Sequence, residues 1–354
     1  MHAKVHQMIL RLALIGFGNV GQEFARLLLS RRPWLLRSKG LDVEVVAIAT
    51  RSKGSLISDR ALDLEAVLKE LESTGSLMGH PGARTDLGPT DIIDKTVADM
   101  VVELTTLNID SGRPAIDHIT RAMECGMDVV TANKGPVAFA YSDLRALARS
   151  RGVHFRFEGT VMDGTPIFSL VEKTLPGCQV LGVRGILNST SNYVLTEMAK
   201  GRTAQDAVKE AQALGIAEAD PSMDMDGWDA AAKITALANV LMDARKTPKD
   251  VDRTGVGDVS VDMLAQARAR GTKLKLVASA SLEDGGVRLV VRPEEVGPDS
   301  PFWTVEGTSS AVTIRTDLMG DLTILEEGPG LTQTAYAVFS DMLHTVESIR
   351  SGTL

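Results

Sequence analysis

Apolar residues in the first third of the chain come in short runs, separated by segments in which they recur every three or four positions. LALI (12–15), VEVVAIA (43–49), MVVELT (100–105) and DVVTA (128–132) are near-continuous apolar runs of strand length. NVGQEFARLLLS, LDLEAVLKELE, RPAIDHITRAMECG and SDLRALARSRG carry helical spacing instead, the third closed by Gly126. Buried strands alternating with helices of about 10–15 residues predict a doubly wound parallel sheet, an α/β domain over residues 1–150. RRPWLLRSKGLD (31–42) reads as a surface excursion between the first helix and the second strand.

Beyond residue 152 the pattern changes. VHFRFEGTV and QVLGVRGILN read as strands, while PIFSLVEKTL, NYVLTEMAKG, TAQDAVKEAQALG and DAAAKITALANVLMDA read as helices. KLKLVASASL, GGVRLVVRP, AVTIRT and DLTIL are strand-like again, and TQTAYAVFSDMLHTVESI closes the chain as a helix. This predicts a second, α+β domain over 151–330, with the terminal helix (331–354) joining the first domain. No internal repeat or low-complexity tract interrupts the chain.

Composition narrows the function classes. The 354 residues are 44% hydrophobic with 32 glycines, a profile that suits two compact domains. A formal charge of −8 without any basic run argues against a nucleic-acid partner. Cys125 and Cys178 are the only cysteines, too few for a disulfide framework or a thiolate metal site. No apolar run reaches the roughly 18 residues of a membrane helix, and the N-terminus lacks a signal-peptide pattern. A soluble cytoplasmic protein, without membrane contact, is expected.

GFGNVG, Gly16 to Gly21, follows a predicted strand and opens a predicted helix. There Gly16 makes the tight turn, Gly18 admits a pyrophosphate and Gly21 allows close helix–strand packing, which makes the first domain Rossmann-type. The helix N-terminus offers amides and a favourable dipole to phosphates. An NAD site usually carries an acidic residue about 20 residues further on. Here Thr50 stands at that place, followed by Arg51, Ser52 and Lys53, so a 2′-phosphate meets cations instead of a carboxylate. NADP is therefore expected over NAD.

AEADPSMDMDGWDAAAKI (217–234) sets Glu218, Asp220, Asp224, Asp226 and Asp229 ahead of Lys233. A calcium loop with Gly227 as its sixth residue would place Lys233 where the bidentate carboxylate belongs, so calcium fails. Asp near Gly and Pro also makes turns and helix caps. Asp229 and Lys233 share a helical face at i, i+4, and the rest of that helix is mostly apolar. From the residues alone, a solvated turn and an active site stay equally open.

GFGNVG, VVELTT, VVTANKGPVA, FEGTVMDGTPIF, GILNSTSNY, EADPSMDMDGWDAAAK, RGTKLKLVASA and GPGLTQTAYAVFSD together resemble homoserine dehydrogenase, in the family's order and over nearly the whole chain. The resemblance implies reversible NAD(P)-dependent oxidation of L-homoserine to L-aspartate 4-semialdehyde, a catalytic and dimerisation domain, and a homodimer. It implies Lys233 as the main acid/base and Lys134 as proton relay or polariser of the reacting oxygen. Glu218 and Asp229, with Ser189 and Thr190, are implied at the substrate, although the family's usual Asn-Gly-Thr reads Asn-Ser-Thr here. Asp220, Asp224 and Asp226 are taken as turn and capping residues.

For the cofactor the resemblance implies Gly16, Phe17, Gly18, Asn19, Val20 and Gly21, with Arg51, Lys53, Thr105, Thr106, Lys134 and Gly330. Glu158 and the carbonyls of Val161, Asp163 and Thr165 match a loop for a monovalent cation, sodium or potassium. The chain ends about a helix after GPGLT, so no regulatory domain of the kind some members carry is expected. Two other readings stay in view. A phosphorylating semialdehyde dehydrogenase needs an activated cysteine, and neither Cys125 nor Cys178 has a fitting context. A non-catalytic NADP sensor has no need of both motif lysines.

Overall fold

Strand β1 (Met8–Ile15) opens the described part of the chain. The computed structural model describes residues 7–353, so residues 1–6 and 354, which end two of the spans expected from sequence, lie outside it. After β1 come α1 (Asn19–Trp34), β2 (Leu41–Ala49), β3 (Ser55–Ile57), α2 (Leu64–Thr74), β4 (Ala83–Arg84) and α3 (Pro89–Lys95). β5 (Met100–Glu103), α4 (Ala115–Glu124), β6 (Asp128–Thr131), α5 (Lys134–Arg151) and β7 (Phe155–Arg156) follow.

These strands form one sheet in the order β4-β3-β2-β1-β5-β6-β7. β2, β1, β5, β6 and β7 run parallel, as the alternating pattern requires, while β3 and β4 add antiparallel pairs at one edge. The chain reverses its winding between β1 and β5, which is where such sheets open a crevice for ligands. Leu10, Leu12 and Leu14 of β1 pack in one core with Phe24 and Leu28 of α1. Each such side chain contributes about 1.5–3 kcal/mol on burial.

Residues 31–42 expose Arg31, Arg32, Pro33, Trp34, Arg37 and Ser38, as a surface segment should, but they are helical through Lys39 and bury Leu35. α1 continues through Pro33, and a π-helical turn (Leu35–Lys39) follows, closed by Gly40 at φ 56°. Leu28 and Leu35, seven apart, share a face, and Leu35 is 1% exposed. The basic residues around them disguise that spacing as loop. VHFRFEGTV also differs from expectation: only Phe155–Arg156 is strand, and Glu158–Thr160 is a 3-10 turn.

The second set of elements comprises α6 (Phe168–Thr174), β8 (Val180–Ile186), α7 (Ser189–Met198), α8 (Ala204–Ala213), α9 (Ser222–Met225), α10 (Trp228–Met242), β9 (Asp252–Arg253), α11 (Val261–Ala269), β10 (Lys273–Glu283), β11 (Gly286–Val296), β12 (Ser310–Thr316) and β13 (Gly320–Glu326). Their sheet runs β13-β12-β8-β10-β11-β9 and is antiparallel except between β11 and β9. α10 lies on β8, β10 and β11 and buries Ala230–Ala232 and Ile234–Asn239. The last element is α12 (Leu331–Ser351), whose Val338, Phe339 and Met342 belong to the core of β1 and α1.

By contacts the chain forms two units. One is the described part of Met1–Pro136, Ser142–Gly164 and Gly330–Leu354; the other is Val137–Tyr141 with Thr165–Pro329. Residues 151–164 group with the first unit because β7 pairs with β6. α5 bends at Ala140 (φ −141°, ψ 18°), within the short stretch that groups with the second unit.

Candidate functional site

In the first unit the glycine hexamer forms the turn from β1 into α1. Gly16 has φ 99°, and a Cβ there would lie 2.5 Å from the backbone carbon of Leu104. The close approach of this turn to the end of β5 therefore excludes any side chain. A Cβ on Gly21 would meet the Gly16 carbonyl oxygen at 2.9 Å. Gly18 differs: it is exposed, extended, and a Cβ on it would meet nothing within 4 Å. Gly18 caps α1 without any side-chain bond to the first-turn amides. Open space over the N-terminus of a sixteen-residue helix, with its first-turn amides uncapped by a side chain, is the cradle a pyrophosphate fits. Phe17 is buried as an anchor, while Asn19 is exposed and Val20 half-buried at the rim.

After β2, the Thr50 hydroxyl donates to the Gly54 carbonyl at 2.7 Å and accepts from the Lys53 amide at 2.9 Å. This closes a tight loop that presents Arg51, which is exposed, and Lys53, which is half-buried. Among the described residues neither cation is paired with a carboxylate.

At the ends of β5 and β6 the structure shows a polar group that sequence reasoning missed. Glu103 is fully buried, and its Oε1 accepts from both the amide (3.2 Å) and the hydroxyl of Thr105. His118 Nδ1 lies 3.5 Å from the same oxygen, and the Thr131 hydroxyl donates to the Glu103 carbonyl at 2.8 Å with Oε2 3.3 Å away. Asn133 donates from Nδ2 to the Thr105 carbonyl at 2.9 Å, and its Oδ1 caps α5 at the Gly135 amide. Lys134, half-buried, is the next residue. Thr106 is exposed beyond Thr105. The one available signal was a carboxylate inside an otherwise apolar strand, which is costly unless partnered.

Gly330 caps α12 in an extended conformation, and Thr332, two residues on, donates to Glu23 of α1 at 2.8 Å. The candidate cation loop is pinned to the same helix. The Glu158 amide donates to Asp341 at 2.8 Å, and Thr334 donates to Asp163 at 2.9 Å. Met162 and Asp163 both lie in the left-handed region, at φ 50° and 47°. Val161 is buried in this loop, and Thr165 falls in the other unit.

In the second unit Lys233 Nζ lies 3.0 Å from Asp229 Oδ2 and donates to the Leu187 carbonyl at 2.7 Å. Their side chains are only 18% and 13% exposed, so this is no solvated surface pair. Asn188, 4% exposed, caps α7 by accepting from the Ser191 amide at 2.8 Å. Its two amide hydrogens go to carboxylates: Asp224 Oδ1 at 2.7 Å and Asp229 Oδ2 at 2.9 Å. Burial, then the Asp229 charge, push the Asp224 carboxyl up, and the hydrogen bond from Asn188 opposes them.

Asp224 is therefore not a turn or capping residue, as the sequence suggested. The turn at α9 aims its side chain inward, toward Asn188. Asp220 does fill the turn role, accepting from the Ser222 amide at 3.1 Å, and Asp226 stays exposed. Arg253 stacks 3.8 Å over the Trp228 ring and donates to the Asp226 carbonyl, fixing the entry to α10. Thr190 is buried and donates to the Ile216 carbonyl at 3.2 Å, while Ser189 faces Ser310 at 3.5 Å. Glu218 is not brought into the cluster. It lies exposed, and its backbone carbonyl accepts from Gln212 at 3.1 Å.

Cys125 is exposed and Cys178 half-buried, both as free thiols. No helix of the described residues is long and apolar enough to cross a membrane.

The family model described as homoserine dehydrogenase matches residues 166–343, and its NAD-binding-domain counterpart matches 16–158. The NAD(+)-dependent homoserine dehydrogenase of Pseudomonas canavaninivorans is 37% identical over 339 residues, covering 96% of each chain. The homoserine dehydrogenase of Methanocaldococcus jannaschii is 39% identical over 338 residues, 95% of this chain and 98% of the relative. Among solved structures, a hyperthermophilic archaeal homoserine dehydrogenase in complex with NADPH matches with a TM-score of 0.81 at 30% identity, covering 96% and 98%.

Proposed function

Since this chain belongs to the homoserine dehydrogenase family and interconverts homoserine and aspartate semialdehyde with NAD(P) in amino-acid biosynthesis, we propose that Lys233, set by Asp229 and Asn188, is its acid/base. The observation that carries this reading is the partly buried Lys233–Asp229–Asn188–Asp224 cluster. The bound dinucleotide supplies the hydride acceptor in one direction and the donor in the other. As the neutral amine Lys233 takes the hydroxyl proton during oxidation, and as the resulting ammonium it returns that proton to the developing alkoxide during reduction. Asp229 and the Leu187 carbonyl each take one N–H of Lys233, so the position that carries the lone pair or the transferred proton has a defined direction.

The substrate is L-homoserine or L-aspartate 4-semialdehyde, each a zwitterion whose ammonium calls for a carboxylate. Asp224 and Asp229 are the buried-side candidates, and Glu218, with its exposed carboxylate, is an outer one. Ser189 and Thr190 border the same pocket through the N-terminal turn of α7. Lys134 polarises the reacting oxygen or relays the proton, and Thr105 and Thr106 meet the nicotinamide ribose.

NADP is the preferred cofactor in this reading, held by the hexamer Gly16 to Gly21, by Gly330 and by Arg51 and Lys53 at the 2′-phosphate. The Thr50-closed loop supports the preference by presenting both cations without a carboxylate partner among the described residues. A sodium or potassium ion on Glu158 and the carbonyls of Val161, Asp163 and Thr165 suits a hard, oxygen-only donor set. The consecutive left-handed residues Met162 and Asp163 support it, since such backbone is held only where the surroundings enforce it. A cytoplasmic homodimer completes the proposal, supported by the free thiols and by exposed apolar side chains such as Leu282 and Leu325 on the second unit's sheet.

Absorbance at 340 nm with purified protein and L-homoserine, run in parallel with NADP+ and NAD+, tests the reading. Faster turnover with NADP+ is expected. Turnover with NAD+ alone overturns the cofactor preference, and inactivity with both overturns the assignment of Lys233. Light scattering decides the dimer, and a sodium-against-potassium titration decides the cation.

A further inference from the structure

Glu103 takes part in none of the roles above, yet it is fully buried at the end of the strand that leads into Thr105 and Thr106. Its carboxylate collects the Thr105 amide and hydroxyl on Oε1, with His118 Nδ1 at the edge of reach. The Thr131 hydroxyl donates to the Glu103 carbonyl at 2.8 Å and lies 3.3 Å from Oε2. Thr131 in turn accepts from the Asn133 amide at 3.0 Å. Asn133 closes the circuit by donating to the Thr105 carbonyl, while its Oδ1 caps the helix that begins with Lys134. The ring Glu103–Thr105–Asn133–Thr131 thus ties the loop after β5 to the loop after β6. Two loops with separate freedom become one rigid edge.

We propose that Glu103 is a positioning residue for the reaction: through this ring it sets Thr105 and the first turn of α5, and with them the nicotinamide ribose contacts and Lys134. The inference rests on the roles given above to Thr105 and Lys134. A burial argument favours function over bulk stability. A carboxylate in an apolar strand is expensive to desolvate, and replacing such a group with an apolar residue is often neutral or stabilising. Its benefit here is geometric, because Oε1 holds the loop after β5 while Oε2 backs the carbonyl of the same residue in facing the Thr131 hydroxyl.

The test centres on Thr131, which is fully buried and links Asn133 to Glu103. Thr131→Val keeps the shape and deletes the link; Thr131→Ser keeps the hydroxyl and deletes a methyl. Glu103→Gln keeps the acceptor for Thr105 and changes the group facing Thr131. For Thr131→Val, kcat is expected to fall about tenfold or more, the equivalent of one lost buried hydrogen bond. The dissociation constant for NADPH, read from its fluorescence without turnover, rises while KM for homoserine is unchanged. Thr131→Ser restores both values, and Glu103→Gln lies between.

Equal losses in the Val and Ser variants, or a lowered melting temperature with kcat and NADPH affinity intact, overturn the inference. Lys134→Ala separates this failure from that of the underlying reading. An active Lys134→Ala enzyme removes the role of Lys134, whereas an inactive one beside unaffected Thr131→Val and Glu103→Gln enzymes removes only the positioning role. NADPH affinity decides the inference in either case.

Discussion

Lys233 and Asp229 meet at 3.0 Å one turn apart on α10, with side chains only 18% and 13% exposed. A pair four residues apart on an exposed helix contributes only about 0.2–0.5 kcal/mol. Here both partners are mostly shielded, and Asn188 adds a second bond to the same carboxylate oxygen. The arrangement holds an amine in one direction, which is what proton transfer requires.

Lys233→Ala is expected to lower kcat by about a hundredfold or more, the range of general acid–base catalysis, with NADP affinity unchanged. Asp229→Asn keeps the shape and loses the charge, so a smaller fall in kcat is expected. Steady-state kinetics beside a binding titration checks both. A Lys233→Ala enzyme with normal kcat removes the assignment.

Gly16 and Gly18 separate fold from ligand. Gly16→Ala forces a Cβ onto the Leu104 backbone at a positive φ, so a destabilisation of about 1–3 kcal/mol is expected in denaturant melts. Gly18→Ala meets no protein atom, so its melt stays as in the wild type while NADP binding weakens. Unchanged NADP affinity in Gly18→Ala moves the pyrophosphate elsewhere.

Replacing Arg51 and Lys53 together by Ala is expected to weaken NADP+ by about tenfold or more, since bonds to charged groups are worth about 1.5–3 kcal/mol. NAD+, which has no 2′-phosphate, changes little. Parallel titrations with the two cofactors decide it, and equal weakening removes these cations from the 2′ site.

His154 carries a pH dependence of stability. Its Nδ1 bonds Asp128 at 2.8 Å and its Nε2 reaches the Thr353 carbonyl at 3.0 Å. The Asp128 bond chiefly raises the imidazole above its ordinary value of 6.5, against the opposing effect of burial. A raised histidine stabilises the fold fully below that ordinary value and loses the contribution as pH rises through the raised one. The stability gap between wild type and His154→Gln is therefore expected to be widest in mild acid and to close toward alkaline pH. A gap constant with pH contradicts the assignment.

The first sheet was legible because its strands are buried on both faces and its helices on one, and each pattern leaves its own period in the chain. GFGNVG was legible because the turn imposes glycine at fixed places. The helix within RRPWLLRSKGLD was missed because flanking arginines and a proline hide Leu28 and Leu35, whose seven-residue spacing counts only once a core exists to receive them.

The i, i+4 spacing put Asp229 and Lys233 on one face, and the sequence alone determined that much. Which of the remaining carboxylates joins them was decided by tertiary structure. Asp220, Asp224 and Asp226 occupy similar local surroundings, and Asp224 alone meets Asn188, thirty-six residues away in the chain. Glu103, Thr131 and Asn133 became a circuit for the same reason. Parallel strands bring their ends together across separations that no local pattern records, and a hydrogen bond forms only where the fold sets donor and acceptor within about 3 Å.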